Sequence, residues 1–319
     1  MEQFLSVIYG YIDVNCSNVI SLLELADRFD VQDIMKKCEQ PLIDAEDITD
    51  KDKLIHAENY RLSNVQTTIL NSMTVDKLRI CVINRSNFGE DTLRKLFQTT
   101  LALLNKKDGS RSSDDTPPSP IVRHQQPVWR QRLRCCSKPH CIHRKDENIN
   151  NTTLIVEDKK LYVSKHILAN VSPVFHTMFF SRFKESTDDE FSIQGVKYDD
   201  MERLLKIIHN YIEVDSSNCI SLLELAYRFK IYEVMQKCKQ PLIDAQDISD
   251  KDKLIYAERY GLSIVQTAVL HNITDQQLQA LGEDTSEFGK EALKRLFMTA
   301  FFVLQRSDWS SNLDRLRNE

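Results

Sequence analysis

The side chains best suited to chemistry lie together in one stretch, CCSKPHCIHR, at residues 135–144. Thiols and imidazoles are ligands that zinc prefers, and a structural zinc site needs four of them around the ion. Adjacent cysteines followed by His-Cys-x-His match no zinc-finger spacing. The pattern therefore favours a linker that happens to hold thiols over a metal site, for which the candidate ligands are Cys135, Cys136, His140 and Cys141.

No arrangement for catalysis stands out elsewhere. The chain has seven glycines, no glycine-rich phosphate loop, and neither H-E-x-x-H nor G-x-S-x-G. His166 and His176 fall on predicted helices, where we expect them to be structural. We therefore predict a protein that is not an enzyme and uses no cofactor. Thr116 and Ser119 each precede a proline and are candidate sites for proline-directed kinases.

Composition sets the class of protein. A chain of 319 residues with 41% hydrophobic residues is long enough for two domains. We expect neither a membrane span nor a signal peptide, since the longest apolar run is short and the start of the chain lacks a basic leader. The eight cysteines follow no disulfide framework, which predicts reduced thiols in the cytoplasm or nucleus. The net charge of -5 argues against general binding of nucleic acid.

The strongest feature is an internal repeat at an offset of 200 residues. Residues 4–104 align with 204–304 without a gap, with 52 identities in 101 positions. This agreement indicates a duplicated segment and exceeds what shared composition gives. Met1 pairs with Met201, so we expect the first copy to be truncated, and 151–200 has no counterpart.

A segment of different composition separates the copies. Residues 105–150 hold five of the eight prolines and ten Lys or Arg against five Asp or Glu. Such a segment buries too little apolar surface to offset its ordering entropy, which predicts a linker. We divide the chain into a truncated copy, this linker, a complete domain, a helical extension and a tail, with the bounds 1–104, 105–150, 151–243, 244–305 and 306–319.

The segment without a counterpart predicts both strands and helices. TTLIVEDKKLYVS has two β-rich runs around a turn, which is typical of a hairpin. A helical pair follows with Pro173 at a helix start, and EFSIQGV predicts another short strand. Apolar residues then recur at helical spacing from Asp199, in a run that Pro241 is expected to end. Four more helices are predicted near 250–260, 263–271, 274–281 and 287–305.

The ordered series LIVEDKKLYVSKHILANVSPVFHTMFFSRFKES, FSIQGV, LLKIIHNYIEV and ISLLELAYRFKIYEVMQKCKQPLI resembles the BTB/POZ family, in the MATH/BTB branch that is expanded in nematodes. The resemblance covers 151–243, and 244–271 is similar to the helix pair that follows the domain in such adaptors. It implies an α+β fold of short strands beside a helical layer. No MATH or Kelch-like substrate domain is visible, and Asn151 stands where the family often has Asp.

The family resemblance implies a homodimer formed mainly by the early helices and the first strand. The early helices carry more apolar residues than one short helical hairpin covers alone, and a two-fold contact is one way to bury them. The alternative is that these residues form the monomer core. The predicted interface residues are Leu154, Ile167, Leu168, Phe175 and Met178.

Adaptors of this family bind a cullin scaffold through an apolar-x-Glu element after the second early helix. Phe183-Lys184-Glu185 stands at that position, so the resemblance assigns the aromatic anchor to Phe183 and the orienting carboxylate to Glu185. Tyr211 would widen the contact. The alternative is that Phe183 only caps the apolar cluster and Glu185 is solvated.

We therefore expect a non-enzymatic BTB adaptor that homodimerises, docks a cullin-RING ubiquitin ligase and presents an unidentified substrate, without binding nucleic acid or membrane. The alternatives are a self-association scaffold without a ligase role, for which the nucleus is one candidate location, and a decayed duplicate with no retained function. In the first copy we expect a helix from Met1 whose face, formed by Phe4, Leu5, Ile8 and Tyr11, lacks its usual cover. Residues 1–104 alone should then be poorly soluble or only partly folded.

Overall fold

The computed structural model describes residues 2–83, 85–108, 151–180 and 190–318. Contacts divide the chain into two units, Met1–Asp115 with Leu270–Glu319, and Thr116–Val269. The first helices are α1 Glu2–Ile8, α2 Val19–Arg28, α3 Gln32–Asp44, α4 Asp50–Asn59, α5 Ser63–Asn71, α6 Val75–Ile83 and α7 Glu90–Asp108, with a 3₁₀ turn at Arg85–Asn87.

The later part contains three strands and nine helices among its described residues. The strands are β1 Thr152–Val156, β2 Lys159–Val163 and β3 Glu190–Ser192. The helices are α8 Lys165–Val171, α9 Pro173–Phe180, α10 Tyr198–Ile208, α11 Cys219–Arg228, α12 Tyr232–Asp244, α13 Asp250–Arg259, α14 Ser263–Asn272, α15 Asp275–Glu283 and α16 Lys290–Asn318.

The sheet has the order β2-β1-β3, with β1 at its centre and the predicted hairpin formed by β1 and β2. β1 runs antiparallel to β2, pairing Leu154 with Leu161, and parallel to β3, pairing Leu154 with Phe191. The two-residue turn at Glu157 and Asp158 has positive φ angles of 47° and 60°, which suit the right-handed twist of a hairpin. Short strands beside a large helical layer match the predicted α+β class.

The prediction that Pro241 ends its helix is wrong. α12 continues for one turn beyond Pro241 and ends at Asp244, and α3 does the same around Pro41. Proline removes one backbone donor but its fixed φ suits a helix. Burial of Leu242 anchors the last turn, and the N–H of Ala245 donates to the carbonyl oxygen of Pro241 at 3.0 Å.

Side-chain caps explain where several helices of the extension begin. The hydroxyl of Thr49 accepts a hydrogen bond from the N–H of Asp52 at the start of α4, and Ser249 does the same for Asp252 at α13. Thr274 and Gln277 form a reciprocal capping box at α15. Each cap satisfies backbone donors that the first helical turn leaves open.

The helices of the first unit pack around its two longest members. α7 and α16 lie along each other, α4 and α5 contact α7, and α6 contacts α16. The predicted helix 287–305 is observed as the longer α16. Among the described residues, no helix combines the length and apolar character needed to cross a membrane.

Candidate functional site

The candidate site is the helical pair α8–α9 with the strand that precedes it. The side-chain oxygen of Asn151 accepts a hydrogen bond from the N–H of Lys165 at 2.9 Å, which ties the start of β1 to the start of α8. An amide oxygen therefore caps this helix at the position where the family often has Asp. The hydroxyl of Ser172 then accepts from the N–H of Phe175 at 3.1 Å at the start of α9.

An aromatic cluster fixes α9 to the rest of its unit. The ring of Phe175 stacks on Phe229, which follows α11, with centroids 4.7 Å apart and planes 7° apart. Phe179 stacks on Phe175 at 5.7 Å and meets Phe191 of β3 edge-on at 5.0 Å. Ser172 Oγ donates to the carbonyl oxygen of Phe229 at 2.5 Å, so a polar contact accompanies the ring contact. All four rings are buried, so the cluster anchors α9 in the core of its unit.

The opposite side of α8–α9 remains partly open. Ile167, Val174 and Met178 are half-buried, and Phe180 is 45% exposed. The ring of Phe180 lies between His166 at 5.6 Å and His176 at 5.5 Å, both exposed. We call the surface formed by His166, Ile167, Val174, His176, Met178 and Phe180 the α8–α9 face. An apolar centre with an amphipathic rim is the composition of a protein interface.

The five predicted interface residues divide by burial. Leu154, Leu168 and Phe175 are fully buried inside the chain, and Ile167 and Met178 lie on the α8–α9 face. Sequence reasoning missed Phe180, which adjoins the buried Phe179. Helical spacing would have indicated it. Phe175 and Phe179 lie four residues apart on the buried face of α9, so the residue after Phe179 lies away from that face.

The residues predicted to bind a cullin are only partly described. Phe183 and Glu185 lie outside the described residues. Tyr211 follows α10, is half-buried, and stacks on His209 with ring centroids 5.7 Å apart. His209 is 4% exposed, and this burial lowers the pKa of its imidazole.

The remaining candidates are the predicted phosphorylation and metal-binding residues. Thr116, Ser119, Cys135, Cys136, His140 and Cys141 lie outside the described residues. In the part of the chain that the structure describes, no group of three or more His, Cys, Asp or Glu side chains is placed to hold a metal ion. Burial raises the pKa of the Cys38 thiol to about 11 and those of Cys81 and Cys238 to about 12, so these thiols are protonated at neutral pH.

A match to a family model identifies this arrangement. The model of the BTB/POZ domain matches residues 143–246, which span β1 to the end of α12, and also residues 1–46, which span α1 to α3. This chain is a BTB/POZ-domain protein. The family is one of protein-interaction domains, and no catalytic activity is indicated.

Several relatives of the BTB/POZ chain come from nematodes. It is 36% identical over 129 residues to BTB and MATH domain-containing protein 38 of Caenorhabditis elegans, covering 40% of this chain and 33% of that protein. It is 24% identical over 307 residues to protein 45 of the same series, covering 95% of this chain and 55% of the relative. These matches are consistent with the nematode MATH/BTB branch. The chain spans a third to about half of the length of these relatives.

A human protein is also similar to part of the chain. The chain is 29% identical over 108 residues to Kelch-like protein 7 of Homo sapiens, covering 34% of this chain and 18% of that protein.

The two stretches matched by the BTB/POZ model differ in how their equivalent residues are covered. Leu205 is fully buried and Phe229 is 3% exposed, whereas Leu5 is 45% and Phe29 is 49% exposed at the equivalent positions. Phe4 is buried, and Ile8 and Tyr11 are exposed. In the second stretch the cover of Phe229 comes from α9. Leu5, Ile8, Tyr11 and Phe29 thus form an open apolar surface.

Proposed function

We propose that this chain is a non-enzymatic adaptor. It pairs with a second molecule of the same chain through the α8–α9 face and docks a cullin-RING ubiquitin ligase. The observation that carries the pairing is Phe180, a large ring that is 45% exposed on the α8–α9 face. Proteins bury such rings in interfaces because desolvation of aromatic surface is a main source of binding energy.

A two-fold contact suits this face. In such a contact the same patch serves on both chains, so Ile167, Met178 and Phe180 each contribute twice. His166 and His176 present rings with polar edges beside Phe180, which fits the rim of an interface. The buried stack of Phe175 on Phe229 holds α9 in place before association, so little ordering entropy is lost on binding.

The cullin contact is proposed from the position of the apolar-x-Glu element. Phe183-Lys184-Glu185 follows α9 directly in sequence, and α9 is the helix that the aromatic cluster fixes. Similarity to Kelch-like protein 7 and the resemblance to BTB adaptors support this role. The adaptor would act by raising the local concentration of a bound substrate near the ligase, with no chemistry of its own.

We also propose that residues 1–104, the first copy, duplicate the later half of the BTB/POZ domain and the helical extension that follows it. The support is the gapless alignment with 52 identities in 101 positions and the match of residues 1–46 to the same family model. α2, α3 and α4 have the bounds of α11, α12 and α13 at the same offset of 200 residues.

Capture of the cullin by the tagged full chain tests the ligase role. Wild type is compared with Phe183→Ala plus Glu185→Lys, and with a matched control, Phe302→Ala plus Glu46→Lys, which changes the same residue types at exposed positions elsewhere. The proposal expects cullin with the wild type and the control and its loss with the first variant. No cullin with the wild type would favour a self-association scaffold, and unchanged capture by the first variant would place the contact elsewhere.

A further inference from the structure

The two long helices of the first unit bury the same positions of the repeat. α7 and α16 pack along each other, and their buried residues recur at helical spacing. In α7 these residues are Thr92, Leu93, Leu96, Phe97, Thr100, Leu101 and Leu104, and in α16 they are Ala292, Leu293, Leu296, Phe297, Ala300, Phe301 and Leu304. Four of the seven pairs are identical, so the two helices have similar buried faces.

Contacts on either side of this helix pair are reciprocal. α15 packs on α7, and its equivalent α6 packs on α16. A two-fold relation between equivalent elements gives this crossed pattern, in which the helix before the long one reaches across to the partner. We infer that α7 with α6 and α16 with α15 form a homotypic docking surface that the chain closes within itself.

Polar contacts fix the register of the pair. Gln279 Nε2 donates to the carbonyl oxygen of Leu101 at 3.4 Å, and Asn105 Nδ2 donates to Gln279 Oε1 at 3.2 Å. Arg94 Nε donates to the carbonyl oxygen of Thr285 at 3.4 Å. These bonds join α15 and the loop after it to α7.

Gly282 lies where α15 meets α7. A Cβ at Gly282 would lie 2.1 Å from Leu101 Cδ1 and 3.9 Å from Phe97 Cε1, so a larger residue here forces the Leu101 side chain to move. The first copy has Val82 at the equivalent position. The two halves of the surface are therefore similar but not identical at this point.

This closure limits assembly. A surface that is already occupied within the chain is closed to a second chain. If the chain also pairs through the α8–α9 face, as the proposed function holds, the α7–α16 surface adds no further chain to that pair.

Cleavage of the full chain between its copies tests the inference. A specific protease site is inserted within residues 116–140 of the linker, and the cut protein is run on size exclusion with light scattering. We expect the two fragments to elute together in equal number. This result is independent of the α8–α9 face: if that pairing fails, the fragments still co-elute as one of each.

Substitutions in α15 then measure the surface in the cut protein. Gly282→Val introduces the residue that the first copy has at this position, Val82. It should weaken the association of the two fragments about tenfold to a hundredfold. Ala280→Val, on the exposed side of the same helix, should leave it unchanged. Gln279→Arg, which introduces the residue at position 79, should weaken it by a smaller factor without threatening the fold. Separation of the wild-type fragments, or equal affinity of the Gly282→Val and Ala280→Val proteins, would overturn the inference.

Discussion

Phe175 of α9 and Phe229 after α11 stack with ring centroids 4.7 Å apart, and Ser172 Oγ bonds to the carbonyl oxygen of the same Phe229. Residues 151–200, which have no counterpart in the first copy, thus cover Phe229, and Phe229 does have a counterpart there. Phe29, the equivalent of Phe229, is 49% exposed. Identical residues in near-identical helices therefore have different environments, so substitutions of Phe229 and Phe29 can be compared within one chain.

Substitution of these two phenylalanines should give unequal results. Phe229→Ala removes a buried ring and should cost about 3–5 kcal/mol of unfolding free energy in its unit. Phe29→Ala should cost below about 1 kcal/mol, because half of the ring is already in water. Denaturant unfolding of the full chain, followed by a probe in each unit, measures both. Equal losses would show that Phe29 is buried in solution.

Loss of the Ser172 hydroxyl should destabilise the α8–α9 pair. Ser172→Ala leaves the buried carbonyl of Phe229 without this donor and removes the acceptor at the start of α9, at a cost of about 1–3 kcal/mol. Thr177→Ala is the matched control, since its exposed hydroxyl bonds only within α9 to the carbonyl of Pro173. The control should change stability by less than about 0.5 kcal/mol. Thermal unfolding compares the two, and an undisturbed Ser172→Ala protein would contradict the described contact.

The sequence predicted the local elements better than their partners. The hairpin around Glu157 and Asp158 and the start of α9 at Pro173 follow from turn chemistry and proline geometry, which are local. The passage of α12 through Pro241 was missed because burial of Leu242 outweighs a local breaker. The pairing of α7 with α16 joins residues some 200 positions apart, and helical periodicity marks an apolar face without naming what covers it.

The candidate site shows the same division. Two of the predicted interface residues, Ile167 and Met178, are half-buried on the α8–α9 face. Leu154, Leu168 and Phe175 have the same composition but lie in the core, and only the packing separates the two groups. Phe180 was not among the predicted residues, because two adjacent phenylalanines look alike in sequence although they project about 100° apart around the helix.

Stability should fall on acidification because of His209. Burial holds the pKa of His209 below its usual value of 6.5 in the folded chain, so below that pH the unfolded chain binds a proton that the folded chain excludes. The contribution of neutral His209 is thus complete above pH 6.5 and is lost as the pH falls below it. His209→Gln should reduce the difference in unfolding free energy between pH 7.5 and pH 5. An unchanged difference would show that other groups dominate this range.

Thiol labelling should separate exposed from buried cysteines. With pKa values of about 11 to 12, Cys38, Cys81 and Cys238 hold a thiolate fraction of roughly a thousandth or less at pH 8. Cys16 is exposed and should react first among the cysteines of the described residues. Alkylation followed by peptide mapping reports each site, and denaturant should equalise the rates. Fast labelling of Cys238 in the native chain would contradict its burial.

The α8–α9 face is tested most directly by the molar mass of the full chain in solution. Light scattering of the wild type should give twice the 37.1 kDa of one chain. Phe180→Asp should reduce the mass to that of one chain, and Phe302→Asp, at another exposed phenylalanine, should leave it doubled. A wild-type chain that stays at the mass of a single folded copy as its concentration is raised would contradict the account.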